Sequence, residues 1–339
     1  MTTLTEASTE YVQFLEARGM AKATIRSALN MFTHARKAWG DDLDLQELHP
    51  RHIDAFFIGK TWSTGTRNVY LQSMKSFFKW CRTHRYLPPD YDPAEGWTAR
   101  PLEKTERTWL TLPVLRSLMD VTDHARDRAF IAIGIYTFLR ASEIINLRIG
   151  DIDIDRSELR VYRIKTKQRD RLPICLELQV ELVRWLDYYR TERGELDPDW
   201  YLVPSRGPRP MKGVPGQRKL VPTGEPNPLR PTQQIGRPQR IVKEAMDALG
   251  IDKKGDGCHV LRRSGARAMY ESLRDMGHDG AARRTQSMLG HSSLIMTEKY
   301  LGLDHERMQR NEALAGKPMF GGPTRDAVGR GHLRAVESA

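Results

Sequence analysis

The sequence predicts a mainly α-helical protein with one small antiparallel β-sheet. Apolar residues recur at helical spacing through most of residues 4 to 84, and again through most of the C-terminal third. Between them, the run DIDIDRSELRVYRIKTKQRDRLPI changes to short β-prone alternations separated by DRSE and TKQRD, which read as turns. A stretch dense in Pro, Gly and Asp, RYLPPDYDPAEGWTARPLEK, divides the helical beginning from the mixed remainder.

Taken in order, TEYVQFLEARGM places Tyr11, Phe14 and Leu15 on one helical face, and KATIRSALNMFTHARKAW repeats the pattern. LHPRHIDAFFIG starts a helix after a proline and a turn. STGTRNVYLQSMKSFFKWCRTH is amphipathic, with Ser63 or Thr64 available as its cap. Its polar face carries Arg67, Lys75, Lys79 and Arg82, which suit either an ordinary solvated face or contact with a DNA backbone. The organisation expected is a helical domain over 1–85, an interdomain linker over 86–105, a second domain over 106–303, and a C-terminal helix and tail over 304–339. The second domain opens at WLTLPVLRSLMD, with Thr111 as N-cap and Pro113 in the first turn. It continues helical through RDRAFIAIGIYTFL, gives about three antiparallel strands, and returns to helix in ELQVELVRWLDYYRTE. Residues 205–240 hold eight prolines and eight Lys or Arg against a single acidic residue, Glu225, and are expected as a basic loop insertion.

The 339 residues carry a net charge of +11, and the pI is about 9.6, so the expected partner is anionic. No run of 18 or more apolar residues exists and the N-terminus lacks a basic-then-apolar signal, which favours nucleic acid over a membrane surface. The three cysteines, Cys81, Cys175 and Cys258, are too sparse for a disulfide framework or a structural zinc site and fit a reducing cytoplasm. No metal site is expected.

The residues that suggest chemistry are spread along the second domain. FLRASEIINL carries Arg140 and Glu143, RIKTKQRDRLP carries Lys165 and Lys167, HVLRRSGA carries His259 and Arg262, and LGHSSLIMTEKY carries His291, with Tyr300 nine residues later. A phenol attacking a phosphodiester must lose a proton whose pKa is near 10, at a cost of about 4 kcal/mol at neutral pH. Its target is already an anion, so fixed cations have to neutralise the phosphate and the charge that builds on it. Guanidinium groups suit that task because they fork onto two oxygens and stay charged. A lysine or histidine can then protonate the leaving alkoxide.

In these four runs, the sequence resembles the tyrosine recombinase (phage integrase) family, and the resemblance extends over essentially the whole chain. It implies a helical, SAM-like core-binding domain followed by an α+β catalytic domain. By this resemblance Tyr300 is the nucleophile, Arg140 and Arg262 clamp the phosphate, His291 donates a further hydrogen bond, and His259 assists proton transfer. Lys165, eight residues before Pro173, is the general acid, with Lys167 as its rival, and Glu143 orients the arginine or histidine shell. One departure is Arg263, which occupies a position where this family often has histidine; no catalytic role is carried over to it.

The function implied is site-specific recombination, with integration for a phage or mobile element as the expected task. DNA is cut and rejoined through a 3′-phosphotyrosyl link without metal, cofactor or ATP. Alternatives are a nicking-closing enzyme of the type IB topoisomerase kind and a Xer-type resolvase. The Gly-Lys-Gly turn common in Xer-type resolvases is absent here, whereas Lys165-Thr166 leans toward integrases. The implied partners are double-stranded core attachment sites, three further copies of the chain on two duplexes, and, left open, a directionality factor. No membrane partner is expected, and the implied location is the bacterial cytoplasm. The chain enters its first helices almost at once, so binding at core sites alone is expected. The patch around Met319 and Phe320, with LDHERMQRNEAL, is the segment expected to dock on a neighbouring subunit.

Overall fold

The computed structural model describes residues 2–102, 109–208, 211–213, 220–222, 227–251 and 257–303. The chain divides into two compact units, Met1–Glu106 and Arg107–Ala339.

The first unit is four helices: α1 (Leu4–Ala17), α2 (Lys22–Trp39), α3 (Pro50–Phe57) and α4 (Thr64–Thr83). Thr3 caps α1 in a reciprocal pair with Glu6, which satisfies two otherwise unpaired backbone donors. Ser63 caps α4 by accepting from the Thr66 amide. The stripes predicted from spacing meet in one core, where Tyr11, Phe32, Phe77 and Trp80 pack ring against ring, with Phe32 and Phe77 edge-on at 4.9 Å. Residues 86–102, expected as linker, are a correction. Leu87 and Ala94 are buried in this core, Trp97 stacks on Phe57 at 4.7 Å, and the Tyr91 hydroxyl donates to the Leu48 carbonyl. The segment has no periodicity because it packs through separated anchors rather than along one helical face. Residues 103–105 lie outside the described residues.

The second unit is built round α6 (Ala125–Thr137), which is buried on every side and therefore shows no amphipathic pattern. Against it pack α5 (Leu112–Asp120), α8 (Leu176–Arg193), α9 (Gln239–Ala248) and α10 (His259–Asp275). A short helix α7 (Ala141–Ile144) follows α6. Then comes a three-stranded antiparallel sheet of β1 (Ile152–Asp153), β2 (Glu158–Arg163) and β3 (Gln168–Pro173), as the alternation predicts. Helices α11 (Ala281–Leu289) and α12 (Leu294–Leu301) complete the described part.

Described residues of the 205–240 segment are paired in short strands rather than forming a loop. Strand β4 (Pro204–Arg206) pairs with β7 (Leu229–Gln234), and β5 (Met211–Gly213) pairs with β6 (Leu220–Pro222). Its prolines hid these ladders, since proline removes a strand donor and lowers any strand reading. The C-terminal helix and docking segment expected over 304–339 lie outside the described residues.

Candidate active site

One close approach and one helix end set the site. Helix α10 crosses α6 at Gly265, where an added Cβ would lie 2.1 Å from the Ile135 carbonyl oxygen. The crossing brings Arg262, one turn earlier on α10, under the end of α6. That end is Phe138, in a left-handed conformation with φ 55°. A left-handed residue terminates the helix and leaves a carbonyl unpaired within it. The Phe138 carbonyl then accepts from Arg262 Nη1.

Arg262 is almost wholly buried, and its Nη2 also donates to the Leu289 carbonyl at 2.7 Å. Its remaining approach is to His291 Nε2, 3.4 Å away. A guanidinium can only donate, so Nε2 must accept and the imidazole proton sits on Nδ1. There it faces Thr297 Oγ1 at 3.1 Å, and the Thr297 hydroxyl in turn reaches the Ser293 carbonyl at 3.5 Å. Desolvation, reinforced by the charges of Arg262, Arg140, Lys165 and Arg163, pushes the His291 pKa down to about 4. His291 is thus neutral at pH 7.

Tyr300, on α12, sets its ring at right angles to the His291 ring, 5.2 Å between centroids, with the Arg262 guanidinium 5.9 Å from the ring centre. Its hydroxyl is buried and has no hydrogen-bond partner among the described residues. Burial pushes the phenol pKa up, while the charges of Arg262, Arg263 and Arg140 pull against that rise. Arg262 is itself pushed down to about 10, first by desolvation, with the Tyr300 and Glu143 charges opposing and Arg140 and Arg163 adding to the fall.

Arg140 is the N-cap of α7. Its amide donates to Glu143 Oε2 at 2.8 Å and its Nη1 to Oε1 at 3.1 Å. The Glu143 side chain is fully buried, while 27% of the Arg140 side chain remains accessible, so a buried carboxylate holds a guanidinium that is still partly open. Lys165 is exposed in the β2–β3 turn, and its charge reaches His291; Lys167, the rival, takes φ 56° in the same turn. His259 is exposed at the first position of α10, about one turn ahead of Arg262. Arg263 is buried.

Arg163 is a site residue not expected from the sequence. This buried arginine reaches Glu143 at 3.6 Å, Asp170 at 3.0 Å and the Met288 carbonyl at 2.8 Å, tying β2, β3, α7 and the turn before His291 together. A signal was available, since Leu159, Val161 and Arg163 alternate along β2 and so share its buried face.

The four cations expected on one face of α4 separate. Arg67 is buried, its guanidinium 4.6 Å from both the Phe57 and Trp97 rings. This corrects the solvated-face reading: at the first turn of α4, aromatic residues from α3 and the 86–102 segment cover that face. Arg82 pairs with Asp92 at 3.0 Å. Lys75 is half-buried and Lys79 is exposed. Among the described residues no group of three or more His, Cys, Asp or Glu side chains could hold a metal, and no helix is long and apolar enough to cross a membrane.

An uncharged phenol buried beside one fixed guanidinium, within the field of a second, with a lysine on an adjoining turn, is an arrangement able to receive a phosphodiester and attack it. Comparison with known proteins gives the family. Residues 108–307 match the model of the phage integrase family. The tyrosine recombinase XerA of Pyrococcus furiosus is 28% identical over 303 residues, 87% of this chain and 88% of that protein. Tyrosine recombinase XerC of Herpetosiphon aurantiacus is 24% identical over 271 residues, covering 78% and 77%. In fold, a lambda integrase (residues 75–356) dimer bound to a COC′ core site aligns with a TM-score of 0.64 at 16% identity, over 88% of this chain and 95% of that one. The Tn1549 transposon integrase in complex with a circular intermediate DNA aligns at 0.57 with 15% identity, over 91% and 100%. Together with the site, the matched span shows that this chain belongs to the phage integrase family and is a tyrosine site-specific recombinase.

Proposed function

We propose that the protein cuts and rejoins DNA at core attachment sites through a 3′-phosphotyrosyl intermediate on Tyr300, and that it serves the integration or excision of a phage or mobile element. The observation that carries this is the burial of the Tyr300 hydroxyl, without a hydrogen-bond partner among the described residues, beside Arg262 and His291. In the step envisaged, a bond forms between Tyr300 Oη and the phosphorus while the bond from phosphorus to the 5′-oxygen breaks. Arg140 and Arg262 take the non-bridging oxygens. The incoming phosphate is an anion, so it offsets the arginine charges that depress His291 and favours a proton on Nε2, the form able to donate to the phosphate. Lys165 supplies the proton to the departing 5′-oxygen, His259 assists removal of the phenol proton, and Glu143 with Arg163 holds Arg140. The phosphotyrosyl ester retains the energy of the broken bond, so a 5′-hydroxyl from a second duplex can reverse the attack without ATP.

The first unit serves as the core-binding domain and the second as the catalytic domain. Four protomers act on two duplexes in a bacterial cytoplasm; a lambda integrase tetramer bound to a Holliday junction is among the structural neighbours. A Xer-type resolvase is the second reading, supported by the Xer relatives.

The test is a nicked suicide duplex carrying the element's junction sequence. Wild type should accumulate a covalent complex whose modified peptide contains Tyr300, and Tyr300→Phe should accumulate none. A covalent complex of undiminished yield in the phenylalanine variant, or mapped to another residue, would overturn the assignment. Joined products from two intact duplexes would separate a recombinase from a nicking-closing enzyme.

A further inference from the structure

Within the first unit lies a cavity of about 340 Å³. Phe57, Trp62 and Trp97 form its aromatic walls, and Lys60, Arg67 and Arg100 supply three cations; no carboxylate lines it. Arg67 is the floor. Only 9% of the residue is accessible, its guanidinium lies 4.6 Å from two aromatic rings, and its Nη1 is buried with no hydrogen-bond partner among the described residues. Aromatic faces attract the charge but offer no oxygen to a buried N–H, so the donor is left unsatisfied.

The two other cations are exposed and held over the cavity by specific contacts. The backbone of Arg100 is clamped to α4 in both directions: the Asn68 amide donates to the Arg100 carbonyl at 2.8 Å, and the Arg100 amide donates to Asn68 Oδ1 at 3.0 Å. Lys60 lies 5.7 Å from the Trp62 ring centre. Burial and the Arg100 charge both lower the Arg67 pKa, the electrostatic sign of cations gathered without their counter-charge.

We propose that this cavity is a phosphate-binding site, with Arg67 as its buried donor and Lys60 and Arg100 closing on the anion's oxygens. Three converging cations fit a tetrahedral anion with several free oxygens better than a carboxylate, whose two oxygens one guanidinium fork already satisfies. A phosphate can arrive as part of a DNA backbone or as free phosphate or nucleotide. The +11 net charge and the substrate inferred above favour the backbone, and that part rests on the proposed function. The contact would anchor the first unit on the duplex without reading sequence.

The full-length protein tests this with Arg100→Ala and Lys60→Ala, both exposed positions that do not enter the core, and Arg67→Gln as a third variant. Binding to a random-sequence duplex is measured by fluorescence anisotropy across a salt series. Each variant should bind more weakly, and the slope of log affinity against log salt should fall by about 0.9, the change expected when one phosphate is no longer neutralised. In the second arm, inorganic phosphate is compared with chloride at equal ionic strength. Phosphate should raise the unfolding temperature of wild type more than that of Arg100→Ala. Stabilisation by phosphate that Arg100→Ala abolishes, with an unchanged DNA slope in every variant, overturns the backbone assignment and leaves a free-phosphate or nucleotide site. An unchanged slope together with equal phosphate stabilisation in all variants overturns the site itself. If wild type forms no covalent complex with the suicide duplex, the reading of Tyr300 has failed, while the salt slopes still judge this cavity.

Discussion

Gly265→Ala tests whether the crossing of α6 and α10 builds the active site. The added Cβ would sit 2.1 Å from the Ile135 carbonyl oxygen, 3.0 Å from the Ile135 carbonyl carbon and 3.1 Å from Phe138 Cε1. An ordinary carbon-to-oxygen contact is about 3.3 Å, so the helices must separate by roughly 1 Å. The obstacle is backbone and cannot rotate away. Overpacking of this kind costs about 3 kcal/mol at the upper end of its range, and alanine returns roughly 1 kcal/mol through helix propensity. The net loss is about 2 kcal/mol, or about 4–8 °C in the unfolding temperature of a unit of this size. Arg262 moves with α10, away from the Phe138 carbonyl and from where the phosphate must lie. A displacement near 1 Å costs about 100-fold in rate. Gly134→Ala is the control, because its nearest obstacle is the tip of a side chain, Leu261 Cδ1 at 2.9 Å. It should stay within about 1 kcal/mol of wild type, the cost of a small overpacking set against improved helix propensity. Differential scanning calorimetry and single-turnover cleavage of the suicide duplex measure both variants. A Gly265→Ala protein with wild-type melting and cleavage would refute the idea that this close approach holds Arg262 in place.

Other expected outcomes test the surroundings of the site. Arg163→Gln leaves the Glu143 carboxylate buried with Arg140 as its remaining ionic partner, so the loss should fall below the about 3–5 kcal/mol of a buried charge left with none. Because Arg163 is one of the charges that depress His291, the same variant should raise the His291 pKa from about 4, read by NMR titration, and Arg163→Lys should restore it toward wild type. Burial also pushes His124 down to about 4, and its Nδ1 accepts from the Arg126 amide at the start of α6. Both histidines therefore bind protons more weakly folded than unfolded. Their contribution to stability is complete above the ordinary value of 6.5 and is lost as pH falls through about 4. His124→Asn keeps the cap without the titration and should flatten the fall in melting temperature between pH 6.5 and 4; an unchanged slope would contradict this. Gly302→Ala forces a side chain into φ +75° and 2.5 Å from the Trp109 ring, two residues after Tyr300. The left-handed cost alone is about 1–2 kcal/mol, and cleavage should slow with it. Trp109→Ala in the same protein should recover only the part due to the clash.

Spacing alone made the helices of the first unit and the three-stranded sheet legible, because a helix face or a strand face must repeat with the geometry of its own backbone. The order of Arg140, Lys165, Arg262, His291 and Tyr300 pointed to phosphoryl transfer, because a phenol attacking an anion needs fixed cations. What the sequence could not show is which charged residues are buried. Arg67 and Lys79 look alike on a helical wheel, yet only Arg67 meets Phe57 and Trp97, whose positions depend on a non-periodic segment folding back. Arg163 likewise acquires its role only when Glu143, Asp170 and the Met288 carbonyl converge on it from three other parts of the chain. Local periodicity is a property of neighbouring residues. The protonation of His291 and the setting of the Tyr300 hydroxyl instead follow from desolvation and from charges distant in the chain, and those exist only once α6, α10 and α12 have packed.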